Sequence, residues 1–418
     1  MDAVSVALIG KVLKGIEGSD PISALLATSL VGKDYVDHLQ IASVNGVVGK
    51  FLRILIGPDF EPYKNIATLD ELLQNENAME VVVASEAGAL TLMSSLTALS
   101  SIVNNSDIMQ AIIDYATNTN NIINVVNALT AVANSSTAMN VVASHNPTID
   151  ILLNSDTAMS ILVEDATAMN VLAASSYFRT HIKDATYWWN TIRGSDQFSG
   201  LDMPYGKMIA AAAGLNPADY ADTTAVVSSS TAMSYVTTSL EALRLLVLHS
   251  RRAYYLAVAQ SVARAALLDG TLGRTFYLGS PWVINHVWNN ATYSSEVWNR
   301  FTNISSVTKA TSSPAGGTYV RTSGTTFDTT ITTPIDWTYI TELSLQRYAS
   351  ASHSTVGVDV YIGSTLIGSF RNFSGWVRTT FNVSNYTGVQ DLRLRLTGAD
   401  TSAARTVAVA DIALTLAS

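Results

Sequence analysis

Residues 135–176, SSTAMNVVASHNPTIDILLNSDTAMSILVEDATAMNVLAASS, decide how the first two-thirds of the chain is read. Thr-Ala-Met occurs in this stretch three times, each time followed by aliphatic residues and a polar break, and Met139, Ile149, Met159 and Met169 stand ten residues apart. A fixed internal period marks units that cannot bury an apolar face alone and must stack on their neighbours. One continuous helix is excluded by geometry. Ten residues at 100° each fall about 80° short of three turns, so the apolar stripe would wind around the axis. Ser136, Asn146, Asp156 and Asp165 precede the apolar runs and are N-cap types. Pro147 then takes the first helical position, where its missing N–H costs nothing. The spacing predicts one helix of about seven residues per unit, stacked into a small solenoid. Val and Ile keep a β-solenoid as the alternative, while Ala and Met favour helices.

Outward from this stretch the pattern loosens. Met79, Leu90, Leu99, Met109, Ile123 and Leu129 take the same slot at uneven spacing, with a long gap before Ile123 compensated by a short one after it. Residues 1–65 read as an N-terminal docking module closed by GPDFEPYKN, where Pro58 and Pro62 interrupt any regular element. Residues 66–176 are the repeat region. Residues 177–272 hold the aromatic patch TYWWNTIRG, one further unit STAMSYV, and a run from Thr231 to about Leu268 that lacks Gly and Pro. Leu240, Leu243, Val247, Tyr254, Val258 and Val262 mark one face of that run, and Asp269-Gly270 stops it. It is expected to be one long helix, in a core or in a coiled coil between subunits. Residues 273–314, punctuated by Trp282, Trp288 and Trp298, read as a Trp/Ser/Asn-rich connector.

From residue 315 to 418 the period becomes two. VGVDVYIG turns Val356, Val358, Val360 and Ile362 inward and Asp359 and Tyr361 outward; DLRLRLTG turns Leu392, Leu394 and Leu396 inward and Arg393 and Arg395 outward. Such strands separated by turns predict an antiparallel β-sandwich. The fold class is thus multidomain, α followed by all-β.

Composition narrows the function. Hydrophobic residues make up 48% of the 418 and charged residues only 14%, against roughly 25% charge in an ordinary globular chain. The net charge of -9 and the scattered Lys and Arg argue against nucleic-acid binding. The absence of cysteine excludes disulfides, thiolate metal sites and cysteine nucleophiles. No run approaches the roughly 20 apolar residues of a membrane span, and no basic segment of a secretory signal precedes the first apolar residues. His38, His145, His181, His249, His286 and His353 never fall at zinc-pair spacing, and neither a nucleophile elbow nor a phosphate loop is present. No catalytic residue, metal or cofactor is expected. The residue types that recognise sugars are aromatic faces and planar polar groups. The outward set Gln346, Tyr348, Asp359, Tyr361, Arg393 and Arg395 offers them. The same residues also read as cross-strand pairs covering a solvated sheet. Trp337 and Trp376 read as core or loop anchors.

The succession IDWTYITELSLQRY, VGVDVYIGSTLIGSF, GWVRTTFNVSNYTGVQDLRLRLTG and TVAVADIALTL, over residues 315–418, resembles the galactose-binding-like jelly rolls. That group includes carbohydrate-binding modules and appendage domains of bacteriophage virions. Asp411 stands where such domains carry an acidic residue entering the last strand, with Val409 and Ala410 in place of the usual aromatic partner. The Thr-Ala-Met repeats are similar to those of phage fibre and tail-appendage proteins. The resemblance implies a non-enzymatic structural protein of a phage virion, a fibre or tail/head appendage subunit, assembled in the host cytoplasm and acting outside it. Its partners would be other virion proteins, further copies of itself (a homotrimer) and a host-surface glycan, without nucleic acid or membrane insertion. A bacterial carbohydrate-binding adhesin and an appendage with glycan depolymerase activity are the alternatives.

Overall fold

A computed structural model describes residues 38–113, 126–195, 204–311, 314 and 316–417. The chain divides into two compact units, Met1–Ile192 and Arg193–Ser418. Helices fill the first two-thirds of the chain, and two antiparallel sheets follow.

In the first unit the repeat becomes a run of short helices, among them Glu76–Ala84, Glu86–Ser94, Leu96–Ile102, Ser106–Ile113, Val126–Ala133, Ser136–Ser144, Asn146–Leu153, Asp156–Leu162, Ala166–Ala174 and Ser176–His181. A single extended residue often ends one helix and caps the next, as Ser85 does at φ -96° and ψ 122°. The side chains of Asn75, Ser85, Ser95, Ser135, Ser155, Asp165 and Ser175 each accept the backbone N–H three residues on. Each cap thus satisfies a donor that the helix start would otherwise leave unpaired. The residue after that donor is the apolar slot. Met79, Leu99, Met109, Met139, Ile149, Met159 and Met169 are all buried there, behind a fully buried alanine at 78, 98, 138, 158 and 168. Packing follows a second rule, in which a helix rests on the one that starts 30 residues later. Ser106–Ile113 packs on Ser136–Ser144 and that helix on Ala166–Ala174; Val126–Ala133 packs on Asp156–Leu162.

Three details differ from the sequence reading. The caps are Ser135, His145 and Ser155, one residue before Ser136, Asn146 and Asp156, while Asp165 stands as expected. Where two polar residues are adjacent, the one three positions before the buried N–H caps. Pro147 is consequently the second helical residue, where the N–H is equally unclaimed. The slot between Met79 and Leu99 belongs to buried Ala89, not Leu90, so the spacing there is an even ten. Ile123 lies outside the described residues, as do residues 1–37 of the expected docking module.

The second unit continues the same cap chemistry, which overturns the long helix. Residues 231–268 are divided among helices Ser230–Val236, Leu240–Arg244, Arg251–Ala259 and Ser261–Asp269. The breaks are Ser239, Ser250 and Gln260, all extended, and both serines accept an N–H from the following helix. Ser239 and Ser250 are eleven residues apart. The extra residue is absorbed by a π-turn at Leu245–His249, which keeps the apolar slot in register. A coiled coil needs an uninterrupted helix, so this run does not supply one. The expected connector is also structured. Helices Thr271–Gly279, Val283–His286 and Ala291–Trp298 occupy it, and Trp288 and Trp298 tie it to the sheet region. Trp288 Nε1 donates to the Ile412 carbonyl at 2.5 Å, and Trp298 Nε1 donates to the Thr318 carbonyl at 2.9 Å. Arg274, buried, donates to the Leu268 carbonyl and to Thr333 Oγ1 at 2.9 Å. A β-carbon at Gly317 would come within 2.3 Å of the Trp288 carbonyl, so the residue there must be glycine.

The strands are β1 Thr308–Ala310, β2 Tyr319–Gly324, β3 Thr326–Asp336, β4 Ile340–Ala349, β5 Gly357–Ile362, β6 Thr365–Phe370, β7 Gly375–Asn382, β8 Val389–Ala399 and β9 Arg405–Leu416. They form a five-stranded sheet ordered β1-β2-β9-β4-β7 and a four-stranded sheet ordered β3-β8-β5-β6. Val358, Val360, Ile362, Leu392, Leu394 and Leu396 are all buried, as the alternation predicts; Val320, Leu343, Leu345, Val407 and Val409 are buried on the other sheet. Trp337 is fully buried and donates to the Gln390 carbonyl at 3.0 Å, in keeping with its core assignment.

Candidate binding faces of the two sheets

The six outward residues do not meet at one site. Asp359, Tyr361, Arg393 and Arg395 lie on the four-stranded sheet, whereas Gln346 and Tyr348 lie on the five-stranded one. Period two tells in from out but cannot assign an outward residue to one sheet or the other.

On the four-stranded sheet, β5 and β8 pair Asp359 with Arg395 and Tyr361 with Arg393 directly across the ladder. Arg395 clasps Asp328 with two hydrogen bonds, of 2.8 and 2.5 Å. That bond holds the Asp328 carboxyl below the usual carboxylate range and raises Arg395 above the ordinary arginine value. Asp359 is buried and accepts from Ser369 Oγ at 2.7 Å and Arg371 Nη2 at 2.9 Å. Arg393 donates to the Gly363 carbonyl at 3.2 Å, and its guanidinium lies over Tyr361 at 5.2 Å from the ring centre. These groups satisfy one another. The face is a network of cross-strand pairs, in which Asp328 and Asp359 are taken by Arg395 and Arg371 and Arg393 lies over Tyr361.

The five-stranded sheet carries a different surface. Register places Arg321, Ala408, Tyr348 and Trp376 in one row across β2, β9, β4 and β7, and Ala410, Gln346 and Arg378 in the next, with Tyr319 two residues before Arg321 on β2. Because the central strand contributes only alanines, the rings on either side lean over it. Trp376 meets Tyr319 edge-on at 5.3 Å between ring centres and Tyr348 at 5.2 Å. Ala408 and Ala410 beneath are fully buried, yet each of the three rings is only half-buried. Trp376 is therefore neither core nor loop anchor but the centre of an aromatic platform. Tyr319, Arg321, Trp376 and Arg378 were missed as site residues. Tyr319 and Arg321 precede any clear alternation, and Trp376 belongs to a strand with little buried periodicity.

Compared with known proteins, the chain matches no family model and no curated sequence.

Asp411 lies within β9, not at its entrance. It sits at φ 52° beside the register shift between β4 and β9, and its buried carboxylate is 3.8 Å from Arg378 Nη2. A left-handed residue at such a bulge is one of the few places where Asp is tolerated at positive φ. Asp411 thereby anchors Arg378 from below the platform. Among the histidines, His145 takes an N-cap position without a side-chain bond to the helix backbone, and its Nδ1 lies 2.8 Å from Thr148 Oγ1. His286 stacks on Tyr255 at 3.8 Å, and burial together with Arg251 holds its pKa below the ordinary value. Among the described residues no three His, Cys, Asp or Glu side chains are grouped to hold a metal ion, and no helix is long and apolar enough to cross a membrane.

Proposed function

We propose that this chain is a structural subunit of a bacteriophage virion, a fibre or tail/head appendage, which presents a sugar-contacting β-domain without turning the sugar over. The observation that carries the reading is the platform of Tyr319, Tyr348 and Trp376. Three part-exposed rings held side by side over alanines match the need of a pyranose for aromatic faces, and Gln346 and Arg378 beside them supply planar hydrogen-bonding groups.

The architecture supports a spacer and a head. Caps at ten-residue spacing and packing at 30-residue spacing fit a three-sided solenoid of short helices, a form in which each coil contacts only its neighbours. The sheet orders, with β2-β9-β4-β7 facing β3-β8-β5-β6 and β1 as an added edge strand, fit a jelly roll. A surface rich in Ser, Thr and Asn with 14% charged residues suits a particle exposed to varied salt. The test is a glycan array probed with the intact protein and with Trp376→Ala. Binding to a defined set of glycans, lost in the variant while its thermal melt is unchanged, is the expected result. Appearance of new reducing ends during incubation with the bound glycan would replace the non-enzymatic reading with the depolymerase. Immuno-electron microscopy of virions places the subunit; absence of labelled particles would favour the bacterial adhesin.

A further inference from the structure

Charge around the platform points to the class of sugar. Two arginines stand at diagonal corners of the two rows, Arg321 on β2 and Arg378 on β7, three strand steps across and two residues along, or about 16 Å between backbones. Both are exposed. Arg321 forms no ion pair among the described residues, and Arg378 is held by Ser344 Oγ at 3.1 Å with Asp411 at 3.8 Å. Beyond Tyr319 and Arg321 the surface runs into a groove along helix Ala291–Trp298, which Thr292, Ser295 and Lys309 also line. The acid in that groove, Glu296, is already taken by Arg264 at 2.7 Å. Arg321 is thus left without an acid partner among the described residues, and Arg378 has only the buried Asp411 behind it, on a chain whose net charge is -9. On the opposite sheet Asp328 is taken by Arg395 and Asp359 by Arg371.

We propose that the outer face of the five-stranded sheet takes an acidic oligosaccharide, with sugar rings on Trp376, Tyr348 and Tyr319 and carboxylates at Arg378 and Arg321. The chain of sugars runs across the strands toward the groove at Lys309. Arginine suits this role because its planar fork meets a carboxylate with two parallel hydrogen bonds. The inference rests on the sugar-binding reading above and adds the charge of the ligand.

Titration calorimetry with the intact protein tests it. The probes are oligosaccharides of polygalacturonate, alginate, hyaluronan and polysialic acid, each beside its carboxyl-reduced neutral counterpart. At least one acidic probe is expected to bind ten-fold or more tightly than its reduced form, and to weaken as salt rises from 50 to 500 mM. Arg321→Gln, at an exposed position free of structural bonds, should reduce that preference at least three-fold. Adding Arg378→Gln, which keeps a planar amide beside the rings, should abolish the preference for the acidic probe over its neutral counterpart. Trp376→Ala should remove both. Equal binding of acidic and reduced probes, or a preference that survives the double variant, would overturn the acidic assignment and leave the sugar platform standing. No binding of any probe, acidic or neutral, together with a blank glycan array, would remove both.

Discussion

Ser135 shows what one hydroxyl does in this fold. Its Oγ accepts the Ala138 N–H at 3.3 Å and donates to the Val103 carbonyl, 32 residues back. Ser175 makes the same pair of bonds, to Phe178 N–H and to the Ala143 carbonyl, also 32 residues back. A hydroxyl can accept and donate at once, whereas a carboxylate can only accept. Asp165 therefore caps its helix as well as serine does, through Ala168 N–H at 2.8 Å, but has nothing to donate to the preceding coil. Ser135→Ala should cost about 1–2 kcal/mol. Ser135→Asp should restore the cap yet stay at least as destabilised, because its charge would face the Val103 carbonyl. Denaturant unfolding of both variants is the check; an Asp variant as stable as wild type would disprove the second bond. Arginine replaces the slot residue at 179, 264 and 274, and each guanidinium returns to a carbonyl six residues earlier, as Arg264 does to Val258 at 2.6 Å. The slot therefore has two solutions, an apolar plug or a cation on the end of the preceding helix.

For the helices, the ten-residue length is a solution to two demands. One extended residue turns the chain, and the remaining nine must return the alanine and slot residue to the same side. The unit from Ser239 to Ser250 breaks the count by one and survives because the π-turn Leu245–His249 holds the surplus. Deleting Leu248 should therefore let this segment relax to an ordinary α-turn with a small loss of stability. Deleting Asn170 from helix Ala166–Ala174 should be far worse, since it carries the following cap out of register. Thermal melts of the two deletions should differ by several degrees in that order, and a reversal would show that the π-turn is not a surplus. The strands obey the same logic at period two. Asp411 marks where it fails, with a bulge that keeps Val409 before it and Leu414 after it both buried, although they are five residues apart.

Over the whole chain, helices and sheets are not separated where composition changes. The tryptophan-rich segment joins them, through Trp288 to Ile412, Trp298 to Thr318, and the Asp336 N–H to Thr275 Oγ1 at 2.9 Å. The sheets accordingly belong to the unit Arg193–Ser418. A fragment spanning residues 204–418 should fold cooperatively and keep the platform. A fragment starting at residue 315 lacks Trp288 and Trp298 and should lose stability or aggregate. Circular dichroism melts and size-exclusion profiles of the two distinguish these outcomes; an equally stable short fragment would show the tryptophan ties to be dispensable.

Local chemistry was readable directly from the residues. Unit length, cap types, the inward face of VGVDVYIG and DLRLRLTG, and the core position of Trp337 all follow from N–H satisfaction or from side-chain period, which neighbours along the chain set. The break at Ser239, Ser250 and Gln260 was not readable, because nothing local forbids a helix there; packing between helices 30 residues apart selects the extended residue. The aromatic platform was half readable. Gln346 and Tyr348 were found from their outward phase, but Tyr319, Arg321, Trp376 and Arg378 join them only through strand order. Sheet register is a long-range choice, and it alone puts β2 and β7 on either side of the two alanines of β9.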